Sequence, residues 1–435
     1  MKFEAILGLQ RQAASLLLYQ AVLENTIGRA FLALLVALQQ PDDTGTASLH
    51  AYGQWFQALA TTGVSWQSFL LTEMLQAENP FTQQVQRSHL NDLPAPLVAA
   101  ARQDLRSLQM LYSCDSNQLS QWVQEAASLP AAPVAWENHP LAAAPSIHTA
   151  LQSLPDWAEA LPDLAAHYRQ MGTGLFAAYR AFRWQAGTLA GISHPDPIRL
   201  HHLTRYEWQK AALVKNTEAL LSGYAALHVL LYGSRGSGKS SLVKSLLHEY
   251  GDRGLRLIEV AKADLGDLPA ITDRLRSLPQ KFILFVDDLS FEEDDDAYKA
   301  LKVVLEGNLT ARPQNVVVYA TSNRRHLIRE FFGDRPVPRD GDEIHAWDTV
   351  QEKLSFSDRF GLTLTFEPVD QAAYLDIVRH LAQQAHLSLT AEELEQRALQ
   401  WATRHNGRSG RTARQFIDFL SAEQRLGVAP PLSAT

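Results

Sequence analysis

At 435 residues the chain exceeds what one hydrophobic core supports, since single cores stop growing near roughly 250–300 residues, and two or three domains are expected. Hydrophobic residues at 46% and charged residues at 20% exclude a chain that is disordered for most of its length. A formal charge of −8 excludes a general basic field for nucleic acid or anionic membranes, and the single cysteine, Cys114, excludes an intramolecular disulfide.

In chain order, Ala30–Leu38 is the longest early apolar run, shorter than the roughly 20 residues that span a bilayer, and it reads as a buried helix. No charged, apolar, small-residue leader pattern opens the chain, so a cytoplasmic protein with no membrane partner is expected, with Cys114 a packing residue rather than a nucleophile. Residues 1–190 are predicted to form an all-α domain: Leu16, Leu17, Tyr19, Leu23, Ile27, Phe31, Leu34 and Leu38 are helix-spaced. Pro130, Pro133, Pro140 and Pro145 make Leu129–Ser146 a linker that divides this half into two helical blocks. Trp55, Trp66, Trp122, Trp136, Trp157 and Trp184 read as core, because no basic residues interleave with them as nucleic-acid stacking requires. Residues 1–190 hold 9 Lys+Arg and 14 Asp+Glu, against 30 and 33 in residues 191–435, and Gly191–Pro197 (GISHPDP) marks the turn between two domains.

Beyond that turn, His228–Tyr232, Leu255–Val260, Phe282–Val286, Val316–Ala320 and Leu362–Phe366 are short apolar strands separated by helix-spaced segments. This pattern predicts a mostly parallel sheet covered on both faces, an α/β core over residues 191–368. Residues 369–435 are purely helical, with a capping box at Thr390 and Glu393, a stop at Asn406-Gly407 and a further helix from Arg411.

The first of these strands runs into Gly233-Ser-Arg-Gly-Ser-Gly-Lys-Ser240, a full match to GxxxxGK[ST]. Glycines let successive amides turn inward on phosphate oxygens, and the following helix presents its positive end. Gly233, Ser234, Arg235, Gly236, Ser237, Gly238, Lys239, Ser240 and Ser241 form the predicted ATP-binding set. Lys239 is expected on the β and γ phosphates and Ser240 on Mg²⁺. The third strand ends in Asp287-Asp288. Asp287 is assigned to Mg²⁺, and Asp288 occupies the position where such ATPases usually carry a glutamate base; being one methylene shorter, it leaves Glu292 as the substitute if its loop folds back. The acidic run Glu292–Asp296 otherwise reads as a solvated loop. At the end of the fourth strand Asn323 is the candidate γ-phosphate sensor, with a turn-forming asparagine as the alternative.

Arg359, just before the fifth strand, is the candidate finger for a neighbour's γ-phosphate, and a surface salt bridge competes with that reading. Arg411 is the candidate lid arginine, with Arg414 as its fallback, and solvated helix-surface arginines are the competing reading. His201-His202 reads as structural, and no His, Cys or carboxylate cluster has zinc spacing.

In this order the elements resemble the AAA+ superfamily. Residues 195–420 resemble the bacterial family catalogued as domain of unknown function 815, through YEWQKAALVKNTEALLSG, YGSRGSGKSSLVKSLL, FVDDLSFEE, YKALKVVLEG, YATSNRRHLI and EKLSFSDRFGLTLTF. The resemblance implies a five-stranded sheet ordered 5-1-4-3-2 with a C-terminal helical lid, and an Asp-Asp pair that is a family trait. The expected function is Mg²⁺-dependent ATP hydrolysis between subunits of a homo-oligomer, ring or partial ring, that works on a protein client through the N-terminal helices. Two alternatives stand beside it. One is a nucleotide-gated switch with little turnover, suggested by the short Asp288; the other is a loader on nucleic acid, suggested by Arg324-Arg325-His326. Peptide threading is disfavoured because Ala261–Asp267 lacks an aromatic pore residue.

Overall fold

The protein is described by a computed structural model that covers residues 2–40, 42–136, 146–291, 297–306, 312–323, 356–405 and 407–426. It forms two compact units, residues 1–178 and 179–435. The first unit is helical, and side chains that offer early amides an acceptor open its helices. Asn25 accepts from Gly28 N at 2.9 Å ahead of Thr26–Gln39, and Asn79 and Thr82 make a reciprocal capping box ahead of Pro80–Arg87. Their apolar faces meet in an aromatic centre where Phe31 stacks on Trp66 at 4.1 Å between centroids, flanked by Trp55 and Phe69.

The helices on both sides of the proline-rich stretch share this core, with Ile147, Leu151 and Trp157 in one cluster with Ile6 and Leu105. The unit is therefore a single body rather than two blocks; residues 137–145 of the expected linker lie outside the described residues. Asp104, fully buried, holds the turn after the first helix by accepting from the amides of Leu17, Leu18 and Tyr19 at 3.0, 2.7 and 3.0 Å. Cys114 is buried too, and burial ahead of the neighbouring Asp115 pushes its thiol up to about 12, which leaves it inert.

The second unit is built on a seven-stranded sheet: β1 (Ala181–Gln185), β2 (Thr188–Gly191), β3 (Val229–Gly233), β4 (Leu255–Glu259), β5 (Lys281–Val286), β6 (Val316–Ser322) and β7 (Leu362–Phe366), in the order β2-β1-β4-β5-β6-β3-β7. Apart from the antiparallel β1–β2 pair, all neighbours run parallel. β3 to β7 are the five expected strands, and their order is the 5-1-4-3-2 arrangement that the resemblance implied.

Two corrections concern the edge of this sheet. It carries an additional hairpin, and the unit begins at Tyr179 rather than at residue 191, because β1 pairs with β4. Phe182 and Trp184 point inward while Arg183 and Gln185 face out, the alternation of a half-buried strand. Ala186 and Gly187, at φ 49° and 75°, make the two-residue turn, both in the left-handed conformation that matches strand twist. A buried Tyr319 hydroxyl on β6, joined by Asn216 and Thr217 at 3.0 Å each, ties the helix Glu207–Leu221 to the sheet. Helices Gln371–Gln384, Ala391–Arg404 and Gly410–Leu426 close on a core of their own around Tyr374, Leu381, Ala398 and Phe416. The Thr390–Glu393 capping box opens the second of them; Asn406 lies outside the described residues.

Candidate functional site

Because β3, β5 and β6 run parallel, their C-terminal ends deliver three loops to one edge of the sheet. β3 ends at Gly233, whose φ is +136°; a Cβ there would sit 1.9 Å from the Phe366 carbonyl of β7, so only glycine lets the two strands close. Gly236 and Gly238 follow at φ +74° and +92° and bend the loop back before the helix Lys239–Tyr250. Among the described residues, the amides of Arg235, Gly236 and Gly238 donate to no carbonyl or side chain, and the buried Ser237 hydroxyl has no partner. Unsatisfied amide donors in a glycine loop ahead of a helix N-terminus are what an anionic phosphate chain requires of its site.

Lys239 lies folded over this loop, its ammonium donating to the carbonyls of Gly233 at 2.9 Å and Ser234 at 2.8 Å, and to Asn323 Oδ1 at 3.3 Å. Burial lowers its pKa, opposed by the charges of Asp288 and Asp287. Asp287 Oδ1 accepts from the Ser240 hydroxyl at 2.6 Å and from Thr321 Oγ1 at 2.5 Å. Asp288 has a φ of +52°, its amide donates to Thr321 Oγ1 at 2.9 Å, and its carboxylate accepts from Asn323 Nδ2 at 2.6 Å. Lys239, Ser240, Asp287, Asp288 and Asn323 are thus linked in one hydrogen-bonded web. Thr321 was not singled out from the sequence although it joins both aspartates. Its signal was position alone, a polar residue where β6 stops beside β5.

The lid helix Gly410–Leu426 starts against the loop. The Arg411 amide faces the Gly236 carbonyl at 3.4 Å, and a Cβ on Gly236 would meet Ser409 at 2.8 Å. The Arg411 side chain is exposed. Arg414 lies close enough to His202 for its charge, after burial and His201, to depress that imidazole. A second stretch unmarked by motif passes the loop. Leu203 lies near Gly238, Tyr206 packs on Phe366 at 4.8 Å with its hydroxyl on the Glu367 carbonyl at 2.7 Å, and Arg205 pairs with Asp376 of the lid at 3.0 Å. His201 contributes its carbonyl to the same seam, 3.0 Å from His380 Nε2.

Arg359 is not part of this web. β7 pairs with β3 so that Phe366 lies beside Gly233 and Leu362 beside Val229, which leaves Arg359 at the opposite end of the sheet, half-buried and paired with Glu306. Glu292, the run to Asp296, and Arg324-Arg325-His326 lie outside the described residues. Among the described residues no group of three or more His, Cys, Asp or Glu could hold a metal ion, and no helix is long and apolar enough to cross a membrane.

A phosphate loop after the central strand, an aspartate and a polar residue ending the adjacent strands, the 5-1-4-3-2 order and a helical lid define a P-loop protein of the AAA+ ATPase fold. Within that class the chain belongs to the family described as "Protein of unknown function (DUF815)", which matches it over residues 177–424. No curated protein matches the sequence. Among solved structures, similarity extends to the RuvB Holliday junction branch migration motor of Thermotoga maritima, which is 14% identical over 51% of this chain and 72% of the other, with a TM-score of 0.32. AMPPCP-bound DnaA from Aquifex aeolicus is 16% identical over 54% and 69%, with a TM-score of 0.35.

Proposed function

We propose that this chain binds ATP with Mg²⁺ and hydrolyses it at the interface between copies of itself. The observation that carries the reading is the web joining Lys239, Ser240, Asp287, Thr321 and Asn323 beneath a loop with unsatisfied amides. The amides from Gly233 to Ser241 and the Lys239 ammonium would hold the triphosphate; leaving the Gly233 and Ser234 carbonyls for phosphate oxygens exchanges neutral acceptors for charged ones. The Ser240 hydroxyl and Asp287 carboxylate, hard oxygens already 2.6 Å apart, suit Mg²⁺, which supplies charge neutralisation on the phosphates when bound. Asp288, oriented by Asn323, is the base for the attacking water in this reading, with Glu292 as the alternative, and Arg411 reports nucleotide state to the lid. Arg359, ahead of β7 at the end of the sheet away from its own loop, serves a neighbouring copy, and the helical unit recruits a protein client in the cytoplasm.

Steady-state phosphate release tests this: Lys239→Ala and Arg359→Ala each lower turnover by about 10³-fold or more, and wild-type Arg359→Ala mixtures recover part of it. Equal rates in all three proteins would end the proposal. A second reading, a nucleotide-gated switch with little turnover, is favoured by the Asp288 carboxylate being held by Asn323 in a left-handed backbone. Tight, stoichiometric retention of ATP without phosphate release would establish it in place of the first.

A further inference from the structure

Away from the phosphate loop, the β1–β2 hairpin creates a cavity of about 190 Å³ against the sheet. Its floor is apolar and buried, made by Ala181, Leu247, Leu257 and Phe285, which share one face of the sheet. The segment after the hairpin roofs it, pinned where His248 Nε2 meets the Asp196 carbonyl at 2.6 Å.

The charges on its rim are unequal in what they already hold. Glu259 is paired with Arg183 at 2.8 Å, and the Asp196 carboxylate accepts the Ile198 amide at 3.2 Å. Lys244, half-buried in the wall, has no hydrogen-bond or ion-pair partner among the described residues. Of the four charged side chains on the rim, Lys244 alone is without a partner among the described residues, while the exposed Asp196 carboxylate keeps its charge. An apolar cavity of about 150 Å³ suffices for benzene, so this one takes a six-membered ring or branched chain of similar bulk and leaves room for one small polar head.

We infer that this cavity is a binding site for a small monocarboxylate with an apolar body, the carboxylate on Lys244 and the ring or chain against Leu247 and Leu257. A phosphorylated ligand does not suit it, because a single lysine would face two or more charges with Glu259 and Asp196 nearby. The inference does not depend on the reading of the phosphate loop.

Calorimetric titration of the full chain with benzoate, cyclohexanecarboxylate, benzyl alcohol and phenylalanine tests it. Benzoate and cyclohexanecarboxylate are expected to saturate with Kd of about 1 mM or tighter, and Lys244→Met to weaken both about tenfold while leaving benzyl alcohol unchanged. Ala181→Leu, which fills the floor without touching a charge, is expected to weaken all of them. Absence of saturable carboxylate binding, or full affinity in Lys244→Met, overturns the site, and phenylalanine binding more tightly than benzoate overturns the monocarboxylate assignment. A cooperative thermal melt of each variant, with a midpoint close to that of the wild type, shows that the fold is intact.

Discussion

His228 stands at the threshold of β3, buried, with Nδ1 accepting the Val318 amide at 2.9 Å. Protonation would put a hydrogen on that nitrogen and face donor against donor. Burial, and behind it the charge of Arg312, lowers its pKa from the usual 6.5 to about 3. A folded-state pKa below the unfolded value means that the unfolded chain takes up the proton first. The contribution to stability is complete above pH 6.5, declines as pH falls through the interval, and is gone near pH 3. At about 1.4 kcal/mol per pH unit, the loss by pH 5 is about 2 kcal/mol. Urea unfolding at pH 7.5 and 5.0 is expected to show that drop in wild type and not in His228→Asn, and parallel pH dependences would refute it. The residues of the glycine loop were readable because strand, glycines and helix are contiguous, and Gly233, Gly236 and Gly238 all take positive φ within it. Thr321 was not, since its bonds to Asp287 and Asp288 exist only once β5 and β6 lie side by side.

Elements obey the same division between local and distant causes. β3 to β6 are legible as apolar runs because strands buried on both faces carry few polar residues, and β7, at the sheet edge, alternates leucine and phenylalanine with exposed threonine. The β1–β2 hairpin was hidden: its alternation spans only five residues, and Ala186-Gly187 lacks the Asn-Gly or Asp-Gly signature of a tight turn. The contact of the lid helix with the loop was also out of reach, because Ser409 and Gly236 are distant in the chain and meet through packing of the lid. That contact has a measurable consequence. Gly236→Ala adds a Cβ 2.8 Å from Ser409 at a backbone angle of +74°, whereas Gly223→Ala adds one at +79° with nothing within 4 Å. Both incur a left-handed strain of about 1–2 kcal/mol, and only the first displaces the lid from the phosphate loop. Titration with a fluorescent ATP analogue is expected to show affinity weakened at least about tenfold in Gly236→Ala and within about twofold of wild type in Gly223→Ala. Equal losses would mean that backbone strain, not the lid contact, decides.

The molecule as a whole joins two bodies of different electrostatic character. Residues 1–178 hold 7 Lys+Arg and 14 Asp+Glu, so nearly all of the net charge of −8 resides on the helical unit and the ATPase-fold unit is close to neutral. The family match over residues 177–424 begins almost where the second unit does, so the helical unit lies outside it. Each unit has its own aromatic or aliphatic core, with Phe31, Trp55 and Trp66 in one and Leu231, Leu246 and Phe285 in the other. A body with its own core and a net negative charge repels polyanions, because phosphate-backbone affinity comes from released counterions at basic side chains. Residues 1–178 produced alone are therefore expected to be helical, to melt cooperatively, and to show no gel shift with single- or double-stranded DNA even at about 50 mM salt. Residues 179–435 are expected to bind ATP within about threefold of the full chain. A non-cooperative melt of the first fragment would show that the units depend on each other for folding. A salt-sensitive DNA complex of that fragment would move the recognition surface to the helical unit and reverse the argument from charge.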